Sequence, residues 1–281
     1  MSFSNRSNLY LPLIIGFDKK TLDEIIKNID NYYEEWEEIK YDKNGDEKKY
    51  KDGTIKKRTI RQSKQPLKLI QQRIKNRILN NIELPQNIHG GIKKKSNITN
   101  AKPHQGNKYK FTTDLKDFYP SIKSKKIYET FLDLGFNKQT SFYLTRLTTW
   151  KGELPQGTPT STHISNIIFL KTDLLLIELC NRNNLTYTRY IDDLSFSSQK
   201  DFRDKIDEIM LILKSSKLSI SYRKTSYNGK QIITGIEVFN HKIDAPEKII
   251  LKAEEEIKEN KKLKPFNNYL NSIRKTNRKN I

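Results

Sequence analysis

The 281-residue chain holds one cysteine, two methionines and two tryptophans. A single thiol allows no intrachain disulfide, so a disulfide-stapled scaffold is excluded and a reducing compartment is the simplest home. Cys180 follows the apolar run 174–179 and reads as a buried helical thiol rather than a nucleophile. Acids are scarce: 33 Asp and Glu stand against 53 Lys and Arg, a formal net charge of +20. Long apolar runs are lacking as well. The longest near the N-terminus, Leu9–Ile15, contains a proline, is too short to cross a bilayer and has no cleavage site behind it. A soluble, non-exported, cytoplasmic protein is expected. No internal repeat and no zinc-ligand spacing occur.

What is present points to a folded, polyanion-binding protein. Aromatics make up 10% of the chain, which argues against disorder, and a 35% hydrophobic share over this length can build a core of two or three subdomains. A charge of +20 attracts nucleic acid first and an anionic membrane second. The plain alternative is a lysine-rich surface that serves solubility.

Helical spacing begins at Leu22, Ile25, Ile26 and Ile29, with Thr21 and Glu24 as a capping box. Residues 40–64 carry two turn signals, Tyr41–Asp46 and Lys51–Thr54, and read as an extended hairpin with a basic tip. A helix is expected over 66–82, a loop over 85–107, a strand over 108–113, helix over 124–149, a loop over 150–162 and a long apolar helix over 163–181. Residues 186–190 and 194–197 read as strands of a hairpin joined at Ile191-Asp192-Asp193. A helix at 201–216, strands near 218–222 and 231–239, and basic helices over 246–279 complete the pattern, an α+β fold.

Two adjacent aspartates on a tight turn repel each other unless a cation neutralises them. A surface Asx turn is the bland reading. Asp114 ends a short strand before Leu115-Lys116-Asp117-Phe118-Tyr119 and can face the hairpin acids, or can simply cap the next helix. Three carboxylates on two strands suit a pair of Mg²⁺ ions, which prefer hard oxygens and share substrate phosphates. Two such ions roughly 4 Å apart can activate a hydroxyl and stabilise a leaving pyrophosphate. The small, polar loop Leu154–Ser161 can lie against a nucleotide, or can be an ordinary helix entry.

Asp114 with its aromatic turn, Leu154-Pro155-Gln156-Gly157, Tyr190-Ile191-Asp192-Asp193 and Lys224, in this order, resemble the palm motifs of reverse transcriptases over roughly residues 55–275. Asn100-Ala101-Lys102-Pro103-His104 and Ile233-Thr234-Gly235 resemble two signatures of bacterial retron enzymes. Lys94-Lys95-Ser96, Thr158, Ser161-Thr162 and Ile191 depart from the usual retron residues.

The resemblance implies a right-hand polymerase fold: N-terminal extension and fingers over 1–110, a palm with a mainly antiparallel sheet backed by helices over 111–240, and a short thumb over 241–281. It implies RNA-directed DNA synthesis from dNTPs with two Mg²⁺ ions. Asp114, Asp192 and Asp193 would be catalytic, with the Leu115 carbonyl as a further metal ligand. Lys57, Arg58, Arg61, Tyr119, Gln156 and Lys224 would bind the nucleotide. Asn100, His104, Ile233, Thr234 and Gly235 would contact RNA or primer. Lys258, Lys261, Lys262 and Lys264 would track duplex phosphates.

The partners so implied are a cognate structured non-coding RNA, its DNA product primed from an RNA 2′-hydroxyl, and a separate effector protein in antiphage defence. A higher assembly would be compatible, and no membrane is expected. No RNase H domain fits the remaining length, so template removal would need a host enzyme. Two alternatives stay open: another bacterial defence or group II intron-like reverse transcriptase, and a catalytically silent RNA-binding scaffold.

Overall fold

The computed structural model describes residues 6–41, 46–50, 52–229 and 231–277. The N-terminal part runs α1 (Leu11–Ile15), α2 (Lys19–Lys27), β1 (Tyr33–Ile39), β2 (Lys57–Ser63), α3 (Leu67–Arg77), α4 (Asn97–Ala101), β3 (Tyr109–Asp114), α5 (Phe118–Ser121), α6 (Ser124–Asp133) and α7 (Lys138–Thr148). There follow α8 (Ser161–Arg182), β4 (Thr186–Tyr190), β5 (Asp193–Ser198), α9 (Ile206–Ser215), β6 (Ser226–Tyr227), β7 (Ile232–Ile233), β8 (Ile236–Val238), β9 (Ile243–Asp244), α10 (Glu247–Lys258) and α11 (Pro265–Lys275). They form two compact units, Met1–Leu84 with Asp117–Leu170, and Pro85–Lys116 with Lys171–Ile281.

In the first unit β1 and β2 pair antiparallel, from Tyr33 opposite Ser63 to Ile39 opposite Lys57. The hairpin therefore starts at Tyr33, not at residue 40, because the glutamates of β1 find basic partners on β2: Glu35 faces Arg61 and Glu38 faces Arg58. Most of the turn expected at Tyr41–Asp46 lies outside the described residues. The cap of α2 is Asp18 rather than Thr21; its carboxylate accepts the Thr21 N–H at 2.8 Å. The helix expected over 124–149 is two helices, broken where Gly135 takes φ +88°. Gln71 of α3 is fully buried and ties three elements together: it accepts from Ser63, and donates to Tyr33 Oη and to the Leu147 carbonyl.

The second unit carries an antiparallel sheet in the order β4-β5-β3-β6. Tyr187, Phe196 and Phe111 stand opposite one another on successive strands, with ring centroids 4.8 and 5.8 Å apart, and all three are buried. A smaller sheet, β7-β8-β9, shares a core with α10, α11 and Ala101 of α4. The segment expected to be a loop over 85–107 contains α4, capped reciprocally by Ser96 and Thr99.

Thr234 and Gly235 form the turn between β7 and β8 at φ +46° and +80°, both in the left-handed region that a tight hairpin turn requires. A Cβ on Gly235 would meet open space. Gly235→Ala should therefore cost only the conformational strain, about 1 kcal/mol, read as a lowered urea midpoint.

Candidate active site

The pairing of β3 with β5 places Asp114 directly opposite Asp193, at the end of the ladder. Asp192 occupies the preceding turn, and its carbonyl accepts the Leu115 N–H at 3.0 Å. Three carboxylates, two on paired strands and one in the adjoining turn, thus gather at one end of the central strand pair. Lys224 joins them, its Nζ 2.6 Å from Asp114 Oδ2. Burial, and then the charge of Asp114, raise the Asp192 carboxyl to about 6. Asp193 rises too, through burial and the charges of Asp192 and Asp114. One ammonium does not neutralise three acids, so the site calls for more positive charge.

The donor chemistry fits a hard divalent cation, since carboxylate oxygens are its preferred ligands. Among the described residues no three His, Cys, Asp or Glu side chains are gathered closely enough to enclose an ion. Magnesium needs no such cage, because it binds through one or two carboxylates and completes its shell with water and substrate phosphate.

The turn that carries Asp192 is strained and clamped. Ile191, a β-branched residue, has φ +60°. Its carbonyl accepts from Arg189 Nη1 at 2.7 Å. The same guanidinium grips Asp173 of α8 through Nε at 2.9 Å and Nη2 at 2.7 Å, with both side chains fully buried. Tyr187 Oη also donates to Asp173, at 2.7 Å. On the other side Gly90 packs against the turn: a Cβ there would lie 2.4 Å from the Ile191 nitrogen. Gly90→Ala must displace backbone, so it is expected to destabilise by about 1–3 kcal/mol and to cut nucleotide incorporation. Urea unfolding and primer extension measure the two effects.

Sequence reasoning missed Arg189, Asp173 and Gly90. An acid in the middle of a mostly apolar helix and an arginine three residues before the paired aspartates were the available signals.

In the first unit the structure joins Gln156 to β2: the Gln156 carbonyl accepts the Arg61 N–H at 2.7 Å. Gly157 takes φ +116° there, where a Cβ would lie 3.1 Å from Ile60. Arg61 is committed to Glu35 at 2.6 Å and to Glu153, so it is a brace of this loop. Lys57 pairs with Glu37 at 2.9 Å and Arg58 with Glu38 at 2.7 Å. Both of those pairs are exposed and weak, which leaves Lys57 and Arg58 freer than Arg61 to meet a phosphate. Tyr119 is half-buried, with its hydroxyl 3.1 Å from Thr162 Oγ1.

The residues read as RNA contacts need correction. Asn100 and His104 have zero exposure, and Ile233 is a core residue. His104 lies within 2.6 Å of Ser197 Oγ and 2.8 Å of Thr188 Oγ1, and burial holds its imidazole down at about 3, neutral at physiological pH. None of these three side chains reaches solvent. They join the two signature segments: Asn100 Nδ2 donates to Thr234 Oγ1 at 3.3 Å, and Asn97 Nδ2 reaches the Thr234 carbonyl and Tyr269 Oη of α11. Only Thr234 and Gly235 stay partly or fully exposed.

Comparison with known proteins gives the relatives of the chain. A family model described as reverse transcriptase (RNA-dependent DNA polymerase) matches residues 43–236. The Retron Se72 reverse transcriptase of Salmonella heidelberg (strain 579083-10) is 29% identical over 81% of this chain and 60% of its own. The Retron Ec86 reverse transcriptase of Escherichia coli is 34% identical over 66% of this chain and 60% of its own. The chain thus spans about 60% of the length of these two relatives. A telomerase structure from Candida albicans, in complex with the TWJ fragment of telomeric RNA, superposes with a TM-score of 0.41 at 11% identity, covering 50% of this chain and 30% of that one.

Proposed function

The chain belongs to the reverse transcriptase (RNA-dependent DNA polymerase) family, and from that premise we propose that it is the RNA-directed DNA polymerase of a retron. The observation that carries the reading is the register of β3 on β5, which sets Asp114 against Asp193 with Asp192 in the adjoining turn. The retron assignment draws on the similarity to retron enzymes of Salmonella and Escherichia.

Asp114 and Asp192, with the Leu115 carbonyl, would hold Mg²⁺, and Asp193 would complete the acidic set. When bound, the ions supply positive charge to the α-phosphate and lower the pKa of the attacking hydroxyl. The primer hydroxyl oxygen bonds to the α-phosphorus of a dNTP, its proton leaves, and the bond to pyrophosphate breaks. Lys224, already on Asp114, would meet the negative charge of the departing pyrophosphate. Gln156 and Tyr119 would position the incoming nucleotide, and Lys57 and Arg58 its triphosphate. Thr234 and Gly235, at the exposed turn, would meet the priming strand.

Fingers over 1–110, palm over 111–240 and thumb over 241–281 are the functional division that goes with this reading. The partner would be a cognate structured RNA, copied in part from one of its own 2′-hydroxyls, with a separate effector in antiphage defence. No helix among the described residues is long and apolar enough to cross a membrane.

The test is to express the gene with its flanking DNA, purify the chain and sequence the nucleic acid bound to it, with and without debranching enzyme. A discrete DNA joined to RNA through a 2′-linkage, missing from Asp193→Ala, is expected. DNA without a branch would place the chain with another kind of reverse transcriptase, and RNA alone would make it a scaffold.

A further inference from the structure

We propose that the hollow between α6, α7 and the turn after α7 is a second nucleotide site, one that takes a base and its phosphate from a single-stranded RNA. The hollow lies wholly within the first unit and has a volume of about 340 Å³. That is the lower end of the range for small-ligand pockets, roughly 300–1,000 Å³, and suits one nucleotide. Its walls carry three aromatic residues, Tyr128, Phe142 and Trp150, and three cations, Lys125, Arg146 and Lys151. No acid is among the lining residues.

The aromatics divide into a fixed wall and open faces. Trp150 is buried, stacked on Tyr33 with centroids 4.8 Å apart, and its Nε1 donates to Asp30 at 2.6 Å. The Lys151 ammonium sits 4.2 Å from its ring centroid. Phe142, by contrast, is 48% exposed, on a helix whose neighbouring Tyr143, Leu144 and Leu147 are buried. Its ring thus presents an open face beside the cations of the hollow, and a base that stacks on it would cover it. Tyr128, half-buried on α6, offers a second face.

The cations are available to a phosphate. Arg146 lies one helical turn from Phe142 and enters no ion pair among the described residues. Lys125 pairs with Glu129 only at 3.9 Å, with both side chains largely exposed. Lys151 pairs with Glu35 at 3.2 Å while half exposed. Exposed pairs of this kind contribute little and yield to a phosphate, which a guanidinium can grip with two parallel hydrogen bonds. A closed double helix cannot offer an unstacked base to a hollow of this size, whereas a single strand can. The inference goes beyond polymerase activity: a chain that failed to copy RNA could still hold a nucleotide here.

The test is photocrosslinking. The full chain is mixed with a short single-stranded RNA that carries 5-iodouridine, irradiated, digested and mapped by mass spectrometry. A crosslink within residues 124–152, reduced at least fivefold by Phe142→Ala and by Arg146→Ala and retained by Phe142→Tyr, is expected. Both positions are exposed, so unchanged thermal unfolding should accompany the loss. No crosslink in 124–152, or one that Phe142→Ala leaves in place, overturns the proposal. Competition by UMP separates the sources: displacement of the crosslink extends the site to free nucleotides, and its persistence restricts the site to a nucleotide within a strand.

Discussion

Asp192→Asn is expected to lower nucleotide incorporation by at least about 10³-fold, because in the proposed role of Asp192 as a metal ligand its loss would forfeit several kcal/mol of transition-state charge stabilisation, and each ~1.4 kcal/mol is a factor of ten. The same substitution is expected to stabilise the metal-free protein. The Asp192 carboxyl is raised from 3.8 to about 6 in the folded chain, so its ionisation opposes folding. A raised acid costs nothing below its unfolded value, and its cost is complete above its folded value. The penalty therefore grows between pH 4 and 6 and is full at pH 8, where a shift of about two units corresponds to roughly 3 kcal/mol before allowance for solvent access. Urea unfolding without metal should give Asp192→Asn a gain of about 1–3 kcal/mol at pH 8 and almost none at pH 4. Mg²⁺ should raise the unfolding temperature of the wild type and not that of the variant. A variant that loses activity without gaining stability would mean that the like charges are already relieved in the wild type.

Arg189→Ala is expected to be the most destabilising single change in the second unit, at about 3–5 kcal/mol, since it strands the buried Asp173 carboxylate without its partner. The loss should be smaller when both ends are removed. A well-packed Arg189→Met, Asp173→Leu double variant leaves no unpaired buried charge, and such replacements of buried ion pairs are often near neutral. The double variant restores neither the hydrogen bond from Arg189 to the Ile191 carbonyl nor the acceptor that Asp173 gives the buried Tyr187 hydroxyl. It should therefore fold yet incorporate nucleotides slowly, with a higher Mg²⁺ requirement, because the turn at φ +60° has lost one side of its clamp. Unfolding curves and Mg²⁺ titrations of primer extension separate these effects. Full activity in a stable double variant would reduce Arg189 to a structural role.

The acidic hairpin, the strand that ends at Asp114 and the long helix α8 were all legible, because each is written in a local run: β-prone residues around Asp192-Asp193, or a mostly apolar stretch of helical length. The repulsion between the paired aspartates was legible for the same reason, since two adjacent acids on one turn need no distant partner to repel each other. What local pattern could not give was register. That Asp114 faces Asp193 depends on the pairing of strands some eighty residues apart. The acidic strand β1 is a strand only because Arg58 and Arg61 lie across from Glu38 and Glu35. The Asn-Ala-Lys-Pro-His segment read as part of a loop, and its resemblance to a retron signature implied that it meets RNA. Its histidine is buried because hydroxyls of Ser197 and Thr188, distant in sequence, accept or donate at both ring nitrogens. Polar residues whose partners come from another strand read as surface in a sequence and become core in the fold.

The central claim is that the acids at the β3–β5 edge copy RNA into DNA. The most direct test is extension of a DNA primer on an RNA template by the purified chain, with dNTPs and with Mg²⁺ present or removed by chelator, beside Asp193→Asn. Template-dependent extension that requires Mg²⁺ and vanishes in Asp193→Asn is the result predicted. Extension that survives in Asp193→Asn would contradict the account.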